Sequence, residues 1–108
     1  MNKYHARRTV LDGIAFDSQV EAARYAELRL LERAGQISEL QVHPRFVLLQ
    51  ADSYGPQVRY EADFSYRQDG QLISEDVKGA ATKTPTWKLK FRLAQARYPE
   101  YTFRIEER

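Results

Sequence analysis

The spacing of apolar residues changes several times along the chain, and the first clear pattern is helical. After Asp17-Ser18, apolar side chains recur every three or four residues, which predicts an amphipathic helix that ends near Gly35. Ser18-x-x-Glu21 has the form of a capping box at the start of this helix. The apolar stripe consists of Val20, Ala23, Ala26, Leu30 and Ala34.

Short apolar runs and alternating patterns predict strands before and after this helix. Residues 10–16 are typical of a short arm or a hairpin that turns at Asp12-Gly13. Residues 37–42 are ambiguous between strand and loop. Four later segments predict strands more clearly by their alternation or β-branched and aromatic content. They are residues 46–49, 60–66, 72–78 and 101–105.

A second helix opens at Thr86, or at Pro85 as its first residue, and Pro99 ends it. The predicted order is therefore α-β-β-β-α-β, an α/β (α+β) fold in which helices flank a mixed β-sheet. The 108 residues, 43% of them hydrophobic, predict a single compact domain over residues 1–108. Residues 1–11 are expected to form a flexible basic arm.

Composition excludes several kinds of protein. The chain has no cysteine, so disulfides, thiolate metal sites and thiol nucleophiles are excluded, and a reducing, cytoplasmic location is expected. No apolar run is long enough for a transmembrane helix or a secretory signal, so no membrane association is expected. No phosphate-cradling glycine loop or dinucleotide fingerprint is present, so no nucleotide cofactor is expected.

Charge is segregated along the chain behind a net charge of only +2. Residues 1–11 and 77–99 contain basic residues and no acid, whereas residues 12–41 and 43–76 are predominantly acidic. Basic ends around an acidic middle indicate a polyanionic partner held near a site that needs carboxylates. The alternative is that these lysines and arginines only solvate helix faces.

The turn at Asp69-Gly70 allows the register of the hairpin to be predicted. With a two-residue loop, Lys78 shares a strand face with Asp76 and lies opposite Glu61. With a four-residue loop, Asp63 would instead face Ser74. The facing pairs predicted by the two-residue loop are Gln68 with Gln71, Tyr66 with Ile73, Ala62 with Val77, and Asp63 with Asp76.

Asp63, Asp76 and Lys78 are the candidate chemical site of this hairpin. Two directly opposed carboxylates repel each other unless they share a proton or bind a cation. Mg²⁺ prefers carboxylate oxygens and activates bound water, and an adjacent ammonium stabilises developing phosphorane charge. This arrangement suits phosphodiester hydrolysis. The alternative is a solvated polar strand face on which Lys78 relieves the repulsion.

Asp63, twelve residues, and then Asp76-Val77-Lys78 resemble the PD-(D/E)XK nuclease motif, and the predicted element order is similar to the restriction-endonuclease-like core of that superfamily. The similarity extends from about Lys3 to Ile105. It is greatest to the phage and prophage domain-of-unknown-function family numbered 1064. Its segments are Phe16-Asp17-Ser18-x-x-Glu21-Ala22-x-Arg24-Tyr25, Leu30-Leu31, Gly35-x-Ile37, Ala62-Asp63-Phe64 and Glu75-Asp76-Val77-Lys78-Gly79.

The resemblance implies that Asp63 and Asp76 bind Mg²⁺, with Mn²⁺ as a substitute, and that Lys78 assists the attacking water. Glu21 has two interpretations, a helix cap or a further metal ligand, and the resemblance favours the ligand. Glu75 would point to the opposite side of the strand and is interpreted as structural. Ala62 replaces the proline of the superfamily motif, which is not a metal ligand.

Basic residues outside this motif are candidate contacts to DNA phosphates, with no base readout expected. The alternatives are a solvated helix face for the second group and an ordinary disordered terminus for the first. His5 and His43 lack ligand spacing and are interpreted as structural or surface residues. The candidate phosphate contacts are Lys3, Arg7 and Arg8 in the arm, and Lys83, Lys88 and Lys90 near or on the second helix.

Together these features predict a Mg²⁺-dependent endodeoxyribonuclease encoded by a phage or prophage. The resemblance further implies activity on branched or recombining DNA and a homodimer whose two sites make paired cuts. One alternative is a non-catalytic DNA-binding or assembly protein that keeps the fold. Another is a nuclease for linear or single-stranded DNA.

Overall fold

The computed structural model describes residues 8–78 and 84–108, which form an α+β domain. Two helices occur in these residues, α1 (Gln19–Arg33) and α2 (Pro85–Arg97). The strands of the described residues are β1 (Thr9–Leu11), β2 (Ile14–Phe16), β3 (Ser38–Val42), β4 (Arg45–Leu49), β5 (Val58–Glu61), β6 (Phe64–Gln68), β7 (Gln71–Lys78) and β8 (Tyr101–Glu107).

The main sheet has four strands in the order β3-β6-β7-β8. β3, β6 and β7 pair antiparallel, whereas β7 and β8 pair parallel. A parallel pair needs a crossover connection, and α2 occupies that position between β7 and β8. The predicted mixed sheet with flanking helices is therefore confirmed. Two separate ladders, β1–β2 and β4–β5, complete the described strands.

The first helix begins and ends where its sequence signals predict. The Ser18 hydroxyl accepts a hydrogen bond from the Glu21 backbone N–H at 3.2 Å. After the helix, Gly35 adopts a φ of +76°, and its N–H donates to the Glu32 carbonyl. This left-handed position favours glycine and stops the helix.

The hairpin between β6 and β7 has the predicted register. Asp69 and Gly70 both have positive φ, 51° and 79°, as a two-residue hairpin turn requires. Gln68 pairs with Gln71, and Tyr66 pairs with Ile73. The alternative four-residue loop is excluded.

The strand predicted over residues 60–66 is interrupted, and this prediction was wrong. β5 ends at Glu61, which pairs with Arg45 of β4, so Lys78 does not lie opposite Glu61 as predicted. Ala62 packs in the core cluster with Phe46, not in the one that holds Val77. The predicted facing pair of Ala62 with Val77 is therefore also wrong.

The physical cause of the interruption is the corner between β3 and β4. The Pro44 carbonyl accepts the Ala62 N–H at 3.1 Å, and the His43 N–H donates to the Asp63 carbonyl at 2.9 Å. These two bonds hold the backbone at the point where the chain leaves the β4–β5 ladder for the main sheet. The alternation of side chains is thereby shifted by one residue at Ala62.

Each helix covers its own hydrophobic cluster. Tyr25 and Leu28 of α1 pack with Phe64, Tyr66 and Ile73 of the sheet. The second cluster brings α2 together with β4, β5 and β8. Its members are Phe46, Leu48, Tyr60, Ala62 and Ala94, with Val58, Trp87, Phe91, Tyr98, Tyr101 and Phe103 packed against them. The two helices therefore pack against two different hydrophobic clusters.

The predicted arm over residues 1–11 was wrong in part, because residues Thr9–Leu11 pair antiparallel with β2. The rest of the arm up to residue 7, and residues 79–83 of the predicted loop, lie outside the described residues. Neither helix in the described ranges has the length and apolar character needed to cross a membrane.

Candidate metal centre

Asp76 lies near the end of β7 and is buried, with 1% of its surface exposed. Neither of its carboxylate oxygens has a hydrogen-bond partner among the described residues. Lys78 is on the same strand face, and its Nζ lies 3.8 Å from Asp76 Oδ1. Burying a carboxylate that accepts no hydrogen bond costs free energy, so the Asp76 side chain destabilises the folded protein unless something else binds to it.

The Lys78 ammonium is also held from the other side. Nζ lies 5.3 Å from the centroid of the Trp87 ring at the start of α2. A cation over an indole face is attracted by the ring quadrupole. The first turn of α2 thus positions Lys78 beside the buried Asp76 carboxylate.

Asp63 lies beside Asp76, immediately before β6 begins. The Asp63 N–H donates to the Glu75 carbonyl at 3.2 Å, and the Val77 N–H donates to Asp63 Oδ2 at 2.7 Å. Asp63 therefore bonds to the residues immediately before and after Asp76. The regular ladder ends one residue earlier, at Phe64 with Glu75, so both acids lie where β6 and β7 begin to separate.

Both acids have raised pKa values. Burial raises the pKa of Asp76 to about 6, against the opposing effects of the Lys78 ammonium and of the nearby Asp63 N–H. The pKa of Asp63 is also raised to about 6, first by burial and then by the charge of Glu21. Each raised pKa means that the ionised carboxylate is disfavoured where it lies. A bound cation would reverse that effect.

Glu21 approaches the same place from the first turn of α1. Its Oε1 lies 3.2 Å from His43 Nε2, although its backbone N–H is capped by Ser18. One ligand atom each from Glu21, His43 and Asp63 lies within 4.8 Å of the others. The cap and the cluster are therefore compatible roles of one residue, since they use different atoms.

His43 is the residue of this cluster that sequence reasoning missed. Its backbone has a φ of +55°, which no sequence pattern indicated, and it comes from a corner that was ambiguous in the sequence. The signal that was present is the His43-Pro44 pair between two strands, because a residue before proline is restricted and often marks a corner.

Glu75 faces the other side of the sheet, as predicted. Its carboxylate is fully buried and accepts two hydrogen bonds from the Arg24 guanidinium of α1, at 2.7 and 2.8 Å. It also accepts one from the Tyr66 hydroxyl at 2.7 Å. Burial raises the pKa of Glu75, but the hydrogen bonds from Arg24 and Tyr66 outweigh this effect, and the pKa lies below its usual range. Glu75 therefore has a structural role, because its buried carboxylate links α1 to the sheet.

Only some of the residues predicted to contact phosphates belong to the described part of the chain. Arg8 and Lys88 are exposed and Lys90 is half-buried, and both lysines belong to α2. The first turn of this helix also supplies Trp87, which lies beside Lys78. Lys3, Arg7, Lys83 and His5 lie outside the described residues.

The described residues define an α+β protein in which a half-buried cluster of Glu21, His43 and Asp63 lies next to the buried Asp76 and its neighbour Lys78. Its sequence matches the family described as Protein of unknown function (DUF1064) over residues 1–106. The chain belongs to this family. No curated protein and no solved structure matches it.

Proposed function

We propose that the protein is a Mg²⁺-dependent endodeoxyribonuclease of the PD-(D/E)XK type. The observation that carries this proposal is the buried Asp76 carboxylate, whose oxygens both lack a hydrogen-bond partner among the described residues. Burying such a group costs free energy, and buried ionisable groups with shifted pKa values are common at functional sites. The spacing from Asp63 to Asp76-Val77-Lys78 supplies the chemical class.

Asp63, Asp76 and Glu21 are the residues that would hold the metal ion. Their donor set fits Mg²⁺, because it offers carboxylate oxygens in a partly buried site, and three carboxylates leave further coordination positions on an octahedral ion. When bound, Mg²⁺ or Mn²⁺ would supply Lewis-acid activation of water and charge neutralisation at the phosphate. The raised pKa values of Asp63 and Asp76 support a cation as the missing partner.

Lys78 is proposed as the residue that assists the attack on the phosphodiester. Its ammonium is held between Asp76 and the Trp87 ring, so its position requires no reorganisation during the reaction. A fixed positive charge at that point would orient the attacking water and stabilise charge that develops on the phosphorane.

DNA is the proposed partner, bound through its phosphates. The exposed Arg8 and Lys88 and the half-buried Lys90 would contact the backbone, together with Lys3, Arg7 and Lys83. We further propose a homodimer that acts on branched or recombining phage DNA inside the bacterial host. Two sites related by a two-fold axis would make paired cuts, and contacts to phosphates would position the DNA without reading its sequence.

The test is a cleavage assay with Mg²⁺, Mn²⁺ or EDTA on four-way, flap, duplex and single-stranded DNA. It compares the natural chain with Lys78→Ala, and Arg59→Ala serves as a control that removes an exposed cation. We expect metal-dependent cleavage by the natural chain and the control, and a loss of at least about a hundredfold for Lys78→Ala. DNA binding without cleavage would instead support a non-catalytic DNA-binding protein.

A further inference from the structure

The backbone conformation of His43 holds its side chain beside the acidic residues Glu21 and Asp63. Its N–H donates to the Asp63 carbonyl at 2.9 Å, and its φ of +55° is a left-handed conformation that a histidine adopts only at a cost. The imidazole packs 6.0 Å from the Phe16 ring, measured between centroids. These contacts fix the ring beside Asp63 and in reach of Glu21.

The distances in the cluster match those between ligands of one ion. Metal–ligand bonds of about 2.0–2.1 Å place neighbouring ligand atoms about 2.9 Å apart in an octahedron and about 3.4 Å apart in a tetrahedron. His43 Nε2 and Glu21 Oε1 are 3.2 Å apart. The third ligand atom, from Asp63, lies within 4.8 Å of both.

A second, independent observation also points to a ligand at this place. Asp76 is 1% exposed and its oxygens lack hydrogen-bond partners among the described residues. The hydrogen bonds of Asp63 to the residues on either side of Asp76 bring Asp76 next to Asp63, and Lys78 Nζ, at 3.8 Å from Asp76 Oδ1, lies beyond hydrogen-bond distance. The ion pair between His43 and Glu21 alone would leave Asp76 unexplained.

We propose that His43 Nε2 is a ligand of the bound ion, so that the site contains nitrogen as well as oxygen donors and prefers Mn²⁺ over Mg²⁺. This inference rests on the proposed function, because it assigns a further ligand to the same metal ion. Mg²⁺ is a hard ion that favours oxygen, whereas imidazole is a good ligand for the first-row transition ions. The imidazole would have to present its Nε2 lone pair, with the ring proton on Nδ1.

The test is pulsed electron spin resonance on Mn²⁺ bound to the full chain. An imidazole nitrogen in direct contact with Mn²⁺ produces a hyperfine modulation that changes when the protein is labelled with ¹⁵N. The chain has two histidines, so His5→Asn is the matched control for His43→Asn. Asparagine tolerates positive φ, and thermal denaturation verifies that the His43→Asn variant folds.

We expect the nitrogen modulation in the natural chain and in His5→Asn, and its loss in His43→Asn. The ratio of Mn²⁺ to Mg²⁺ affinity, measured by calorimetry, should fall at least about tenfold in His43→Asn. Bound Mn²⁺ without nitrogen modulation in the natural chain would overturn the inference and leave the nuclease proposal standing. Nitrogen modulation in a protein that cleaves no DNA would uphold the ligand and overturn the nuclease proposal.

Discussion

The replacement Asp76→Asn tests whether the buried carboxylate is a functional group that destabilises the metal-free protein. The side chain is 1% exposed and has no hydrogen-bond donor among the described residues. Asparagine has nearly the same shape and removes the charge. In the absence of metal, the variant should therefore respond to pH differently from the natural chain.

The magnitude follows from the pKa of Asp76, which burial raises from 3.8 to about 6. At about 1.4 kcal/mol per pH unit, this rise corresponds to about 3 kcal/mol. The sign is that of an acid with a raised pKa, since the folded protein binds the proton more tightly than the unfolded chain does. The cost is absent below pH 3.8, grows as the pH rises towards 6, and is complete above pH 6.

The assay is urea denaturation in EDTA from pH 4 to pH 8, with the free energy of unfolding compared between the two proteins at each pH. Relative to Asp76→Asn, the natural chain should lose about 2.4 kcal/mol across this range, since part of the cost is already present at pH 4. The buried amide adds a constant cost that does not change with pH. The exposed Asp17 offers the control Asp17→Asn. A pH dependence that is the same in the natural chain and in Asp76→Asn would refute the reasoning.

Three further predictions concern other parts of the molecule. Glu75→Gln should lower the free energy of unfolding by about 3–5 kcal/mol, because it removes the buried charged partner of Arg24 and leaves that guanidinium with the half-exposed Glu27; a change in the denaturation midpoint too small to measure would contradict this. Gly70→Ala should destabilise the protein by about 1 kcal/mol and lower its melting temperature, because Gly70 has positive φ. The control Gly55→Ala should change the melting temperature little, because Gly55 lies in open space and does not have positive φ. In a DNA-binding titration, replacing Lys88 and Lys90 by alanine should reduce the slope of log affinity against log salt by about 2, and an unchanged slope would exclude phosphate contact by these lysines.

Features set by local chemistry were predictable from the sequence. Ser18 and Gly35 mark the helix ends because capping and positive φ depend on a few adjacent residues. Asp69-Gly70 determined the hairpin register, and the period of two along a strand placed Asp76 and Lys78 on the same face. The opposite orientation of Glu75 followed from the same alternation.

Features set by contacts between distant segments were not predictable. The interruption at Ala62 depends on hydrogen bonds from the corner formed by His43 and Pro44, which lies about twenty residues earlier in the chain. Alternation in a single segment cannot reveal such a break, so the strand was predicted as continuous. The position of His43 beside Glu21 has the same origin, because no spacing rule relates a helix turn to a strand corner.

The central claim is that Asp63 and Asp76 bind one divalent ion beside Lys78. It is tested most directly by anomalous diffraction from crystals of the protein grown with Mn²⁺. The account predicts an anomalous peak in contact with carboxylate oxygens of both aspartates. Well-diffracting crystals in which these two carboxylates contact no Mn²⁺, at Mn²⁺ concentrations that saturate the protein, would contradict it.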